Sequence, residues 1–173
     1  MNTLEAIHSR RSIRAFTPDP ISDDDLITLI QAGAAAPSAG NAQRWVFIAV
    51  RNPKRLLAVQ SLAPGIISKP AAVIVLCADY RQDVALRETI GETIGYDLGA
   101  ALQNILLAAT ELGLGGCPVG SFNAQGLAHL LNLPTDIEPK LLVAIGKPKF
   151  IPPKPPKKPL EDIFFEETYP VGS

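Results

Sequence analysis

Residues 97–122 read DLGAALQNILLAATELGLGGCPVGSF. Leu98, Leu102, Ile105, Leu106 and Ala109 recur at three- and four-residue steps, and the pattern runs back through Ile94 and Ile90. That period predicts one long helix over about 88–112. Alanines and leucines wrap nearly all round its C-terminal half, so it must be surrounded by protein. In a chain of 173 residues, part of that surround can be a second subunit. Gly113 ends the helix. The segment LGGCPVGSF that follows reads as a glycine-rich turn with exposed amides. It is not GxGxxG and it follows a helix instead of a strand, which disfavours a Rossmann dinucleotide site.

Shorter elements flank this helix. Asn2 and Glu5 have the spacing of a capping box, with Leu4 and Ile7 on the apolar side. In ISDDDLITLIQAGAAAP, Ser22 caps, three aspartates favour the positive end, and Pro37 stops what remains. RWVFIAV and AAVIVLCA are runs of strand length and composition. Between them Asn52-Pro53 opens a third helix, broken at Pro64-Gly65. Asn123 caps a short helix through Leu131, and KLLVAIG is another strand. Between Lys147 and Pro159 six prolines are interleaved with lysines, so residues 148–173 form an extended arm in which sheet is confined to an edge. The reading is α+β, with helices around one sheet, and residues 1–173 forming one domain.

Composition narrows the function. A net charge of −1 and a pI near 6.1 argue against a nucleic-acid binder or a polybasic membrane binder. The apolar run above carries Gln103, Asn104 and Glu111 and falls short of a membrane span. MNTLEAIHSRR lacks the apolar core of a signal peptide. Cys77 and Cys117 lie far apart in apolar stretches and read as free thiols of a reducing, cytoplasmic protein.

Four stretches can hold a ligand. In HSRRSIRAF (residues 8–16), an extended backbone puts residues 10, 12 and 14 on one face and Ile13 on the other. Arginine forks match phosphate oxygens, and Ser12 can add a hydrogen bond. Three arginines alone also fit a solvated basic face, but Ile13 and Phe16 would fix this stretch against a core. In APSAGNAQRWVF, small residues admit a flat ligand to the backbone, and Asn41 and Gln43 offer polar groups. An ordinary helix-to-strand loop fits the same residues. The glycine-rich segment is the third stretch. The fourth, PPKPPKKPLEDI, puts Lys154, Lys157 and Lys158 on a stiff arm, either solvated or closing over an anion. There is no HExxH, CxxC, P-loop or GxSxG, so neither a metal centre nor a serine nucleophile is indicated. His8 and His129 have no partner pattern. Anchors without a nucleophile or base suit an enzyme whose reactivity belongs to a cofactor.

Taken together, RRSIRAF, APSAGNAQRW, DLGAALQNILLAATELGLGGCPVGSF and KKPLEDI resemble, in order, motifs of the FMN-dependent nitroreductase family. The resemblance spans essentially the whole chain. It implies an intertwined α+β homodimer with a mostly antiparallel sheet and two interfacial FMN sites, each built from both chains. Arg10, Arg11, Ser12 and Arg14 then look like contacts to the FMN phosphate and ribityl chain. Pro37, Ser38, Ala39 and Asn41 look like a wall on the flavin given by the second subunit. Pro118, Val119, Gly120 and Ser121 look like the loop over the isoalloxazine, with the Gly120 and Ser121 backbone near N5. Lys157 stands where many members place an arginine on the phosphate, with Lys158 beside it. Larger members also touch the flavin pyrimidine edge from the segment before the second strand. Here that segment is SLAPGIISKP, in which Ser68 and Lys69 are polar.

The implied activity is NAD(P)H-dependent reduction of nitroaromatics, quinones or similar small acceptors through FMN, by a ping-pong mechanism. The arm of residues 148–173 would cross onto the partner subunit. Alternatives are a specialised flavin enzyme of dehalogenating or flavin-destroying type, a flavin carrier with little turnover, or an anion-binding structural protein without flavin.

Overall fold

The computed structural model describes residues 2–82 and 87–169, with residue 89 by its backbone alone. Its elements run α1 (Thr3–Ser9), α2 (Asp23–Ala34), β1 (Trp45–Val50), α3 (Pro53–Leu62), β2 (Ala72–Asp79), α4 (Arg87–Glu111), β3 (Gly115–Val119), α5 (Ala124–Leu130) and β4 (Ile137–Gly146). The strands form one sheet in the order β1-β2-β4-β3, antiparallel throughout. The α+β reading with an antiparallel sheet therefore holds.

The sheet's period of two divides the core. Ala72, Ile74, Leu76 and Ala78 of β2 pack into the layer that holds α2 and α4. Val73, Val75 and Cys77 join the opposite layer with Leu56 and Val59 of α3 and Leu127 of α5. Every residue from Ala72 to Ala78 is fully buried. Ile94, Leu98, Ala101, Ile105 and Ala109 bury the α4 stripe predicted by the three- and four-residue steps. Each large side chain buried in this way contributes roughly 1.5–3 kcal/mol.

Helix starts follow the caps read from the sequence. The Asn2 side chain accepts from the Glu5 N–H and Glu5 accepts from the Asn2 N–H, both at 2.9 Å. Ser22 caps α2, Asn52 caps α3 ahead of Pro53, and Asn123 caps α5.

Two boundaries differ. The glycine-rich segment, read as a turn, is largely strand: Gly115–Val119 is β3, paired with β4. The glycines serve close approach. A Cβ on Gly115 would lie 2.6 Å from the Ile13 side chain, and one on Gly116 would lie 2.5 Å from Leu106 Cδ2. Pro118 is tolerated because β3 lies at the sheet edge. The last strand also begins earlier than KLLVAIG, at Ile137. Leu76 pairs with Leu141 but Cys77 with Pro139, so Lys140 is an extra residue, and the irregularity accommodates a proline inside a central strand.

The N-terminal segment and the start of the arm are tied together. Ser12 bridges Gly116, with the Ile13 N–H donating to the Gly116 carbonyl at 3.0 Å. Phe16 bridges Pro148, with Thr17 N–H to Lys147 O and Lys149 N–H to Ala15 O, both 2.9 Å. Beyond this the described arm holds a single turn, Leu160–Asp162. Residues 170–173 of the expected arm lie outside the described residues. Among those described, no helix is long and apolar enough to cross a membrane.

Candidate functional site

The tie between residues 12–17 and 147–149 has a chemical consequence. It brings the arginine segment and the lysine arm to one groove of about 760 Å³. Arg10, Arg11, Ser12, Arg14 and Lys157 all line it, joined by His8, Gln103 of α4 and Lys154. No carboxylate is among the lining residues. Lys158 does not line the groove.

The arginines differ in what they have free. Arg11 Nη1 donates to the carbonyls of His8, Ser9 and Arg10 at 2.8–2.9 Å, closing the C-terminus of α1. A cation there also complements the helix dipole. Its Nε is buried without a hydrogen-bond partner. Ile13, between Ser12 and Arg14, is buried over Gly115 and holds the segment in place. Arg14 also reaches inward electrostatically: burial raises the Cys117 thiol pKa and the Arg14 charge partly offsets the rise. Arg10, Arg11, Arg14, Lys154 and Lys157 are the charged residues that line the groove beside His8, so its field favours an anion.

The loop of Pro37, Ser38, Ala39 and Asn41 does not line that groove within one chain. It is a tight structure of its own. Gly40, Asn41 and Gln43 all have positive φ, at 59°, 54° and 48°. Ser38 Oγ accepts from the Gln43 N–H at 3.0 Å, and Gln43 Nε2 reaches Asn41 Oδ1 at 3.3 Å. The Ala39 N–H donates to both carboxylate oxygens of Asp97, each at 3.2 Å. Asp97 escaped the sequence reading, because one carboxylate on an apolar helix carries no spacing signal.

Pro118, Gly120 and Ser121 are exposed at the end of β3, whereas the Val119 side chain is buried, packed where Gly65 leaves room. Among the described residues the N–H groups of Gly120 and Ser121 have no hydrogen-bond partner. The segment before β2 is braced: Gln60 Nε2 donates to Ser68 O at 3.1 Å, and Ser68 Oγ donates to Arg14 O at 2.7 Å. Ser68 thus supports the arginine segment. Lys69 lines a separate cavity with Pro18, Pro20 and Arg51.

A sequence profile of the nitroreductase family matches residues 7–89 and 66–147. The chain is 30% identical to an FMN reductase (NADPH) of Bacillus subtilis, over 99% of this chain and 76% of the relative. It is 29% identical to an oxygen-insensitive NADPH nitroreductase of Salmonella typhimurium, over 96% of this chain and 74% of the relative. Its fold matches an NADPH:FMN oxidoreductase from Vibrio harveyi, solved in complex with NAD+, with a TM-score of 0.89. That match is 29% identical and covers 100% of this chain and 80% of the other.

Proposed function

This chain belongs to the nitroreductase family, and we propose that it works as an NAD(P)H-dependent flavin oxidoreductase with one FMN anchored per groove. The observation that carries this reading is the meeting of Arg10, Arg11, Ser12, Arg14 and Lys157 around a groove without carboxylates. A phosphate monoester dianion fits that donor set. Arg10 and Arg14 supply forks, Ser12 a hydroxyl, and Lys157 a charge from the arm. Arg11, half committed to α1, adds its field.

When bound, FMN supplies the redox chemistry, taking a hydride from NAD(P)H and passing electrons to a nitroaromatic, quinone or similar small acceptor. The protein's part is to bind, orient and exclude water. The N–H groups of Gly120 and Ser121 would be the donors toward the flavin N5 edge, and no side chain need act as acid or base. With one open pocket serving both substrates, the kinetics are ping-pong.

The site is completed by a second copy of the chain. The Pro37–Asn41 loop lies apart from its own chain's groove, which suits a wall supplied to the partner's flavin. The arm exposes Phe150, Ile151, Leu160, Ile163, Phe164, Phe165 and Tyr169, each at least 39% exposed, and a partner would bury them. The unpaired buried thiols of Cys77 and Cys117 suit a reducing cytoplasm. The test is anaerobic: the purified protein, yellow with FMN, must bleach on addition of NADPH or NADH and recover colour with a nitroaromatic or quinone. A colourless protein that ignores added FMN would overturn the reading.

A further inference from the structure

Asp97 is the buried charged residue of the described chain, only 8% exposed. No ion pair to it is found among the described residues. Its carboxylate faces one donor, the Ala39 N–H, shared between its two oxygens at 3.2 Å. Desolvating a carboxylate for a single long hydrogen bond is unfavourable for stability. The return must come from what that bond holds.

What it holds is a strained turn. Gly40, Asn41 and Gln43 are left-handed, two of them residues with a Cβ. For the two residues with a Cβ such backbone costs of order 1 kcal/mol or more each and persists only where neighbours over-determine it. Gln43 Nε2 donates to Asn41 Oδ1 at 3.3 Å, and the Ala42 N–H donates to Ala39 O at 3.1 Å. Ser38 Oγ takes the Gln43 N–H, Ser38 O takes the Asn41 N–H at 2.9 Å, and Gln43 O takes the Trp45 N–H at 2.8 Å. All of these are internal to the turn and its strand. Asp97 alone among these groups lies on another element, α4, the helix that also sends Gln103 into the cationic groove.

We propose that Asp97 is a positioning residue: its carboxylate clamps the Ala39 amide and so fixes the Ser38–Gln43 turn at the orientation in which it covers the flavin. This rests on the flavin reading for its function and on the hydrogen bond alone for its geometry. Asp97→Ala removes the acceptor. Asp97→Asn keeps an oxygen for the same N–H. Asn104→Ala is the control, since Asn104 Nδ2 donates from the same helix to Ala32 O at 3.1 Å without touching the turn.

Three readouts decide it: amide exchange at Ala39 in the apo-protein, the FMN dissociation constant from quenching of FMN fluorescence, and visible circular dichroism of the bound flavin. Asp97→Ala should speed Ala39 exchange at least tenfold, weaken FMN by 10- to 100-fold and alter the flavin dichroism. Asp97→Asn should stay within about threefold of the parent on both constants. Asn104→Ala should lower the melting temperature while leaving all three readouts unchanged. Unchanged Ala39 exchange in Asp97→Ala, or an equal loss of FMN in Asn104→Ala, overturns the clamp. Should the parent protein itself bind no FMN, the flavin reading falls, and Ala39 exchange still decides whether Asp97 holds the turn.

Discussion

Gly115→Ala tests how the fold supports the groove. The new Cβ would stand 2.6 Å from Ile13 Cβ and Cγ1 and 2.7 Å from Cγ2. These atoms are the stem of a β-branched side chain, so no rotamer change moves them all aside. Reaching an ordinary contact of 3.4 Å needs a shift of about 0.8 Å, which must be taken by the backbone of one segment or the other. Ile13 donates its N–H to Gly116 O at 3.0 Å, so the shift also breaks or strains the bridge that seats the arginines. Overpacking costs about 1–3 kcal/mol and a lost hydrogen bond about 0.5–1.5 kcal/mol, together about 1.5–4.5 kcal/mol. For a chain of this size that is roughly 3–18 °C in melting temperature. Urea unfolding of the apo-protein, followed by Trp45 fluorescence and circular dichroism, measures the loss. FMN affinity should fall at least tenfold with it, because Ser12 and Arg14 flank the displaced residue. An unchanged midpoint with unchanged FMN affinity would refute the packing argument.

Other outcomes follow from the same geometry. Gly120→Val, where an added Cβ meets nothing within 4 Å, should leave apo-protein stability within about 0.5 kcal/mol yet slow NAD(P)H-driven reduction per bound flavin in single-turnover stopped flow. Ser121→Ala should change that rate by less than tenfold, since the backbone amide is retained. Deleting residues 150–173 should give monomer or aggregate by sedimentation and a protein without FMN, because the exposed aromatics of the arm and Lys157 go together. Cys77, whose thiol is pushed up to about 12 by burial, and Cys117, also raised by burial, should both resist alkylation in the native state at pH 8 and react after unfolding. Fast native labelling of Cys77 would contradict its burial.

The helices were legible because their signals are local. Asn2 with Glu5, Ser22, Asn52-Pro53 and Asn123 each cap the next turn, and the three- and four-residue steps marked the buried stripe of α4. β3 was hidden for the opposite reason. Gly115 and Gly116 read as turn residues, but they are there because Ile13 and Leu106 press on the strand, and both contacts are long-range. Pro139 masked the start of β4 until the pairing with β2 showed the extra residue at Lys140. At the site, the arginines and lysines announced an anion, but what unites them is the pairing of residues 12–17 with Gly116 and with residues 147–149, which no spacing reveals. Asp97 was silent because a buried carboxylate acts through one amide 58 residues away.

The central claim is that the cationic groove holds the phosphate of FMN. Titration calorimetry of apo-protein with FMN and with riboflavin, which differ by that phosphate, tests it most directly, alongside the Arg10→Ala/Arg14→Ala double variant. Charge-assisted hydrogen bonds contribute about 1.5–3 kcal/mol each, so losing two weakens binding by about 10²- to 10⁴-fold. One FMN per chain, riboflavin at least a hundredfold weaker, and a double variant that no longer prefers FMN are the results predicted. Equal affinity for the two flavins in the parent protein would contradict the assignment.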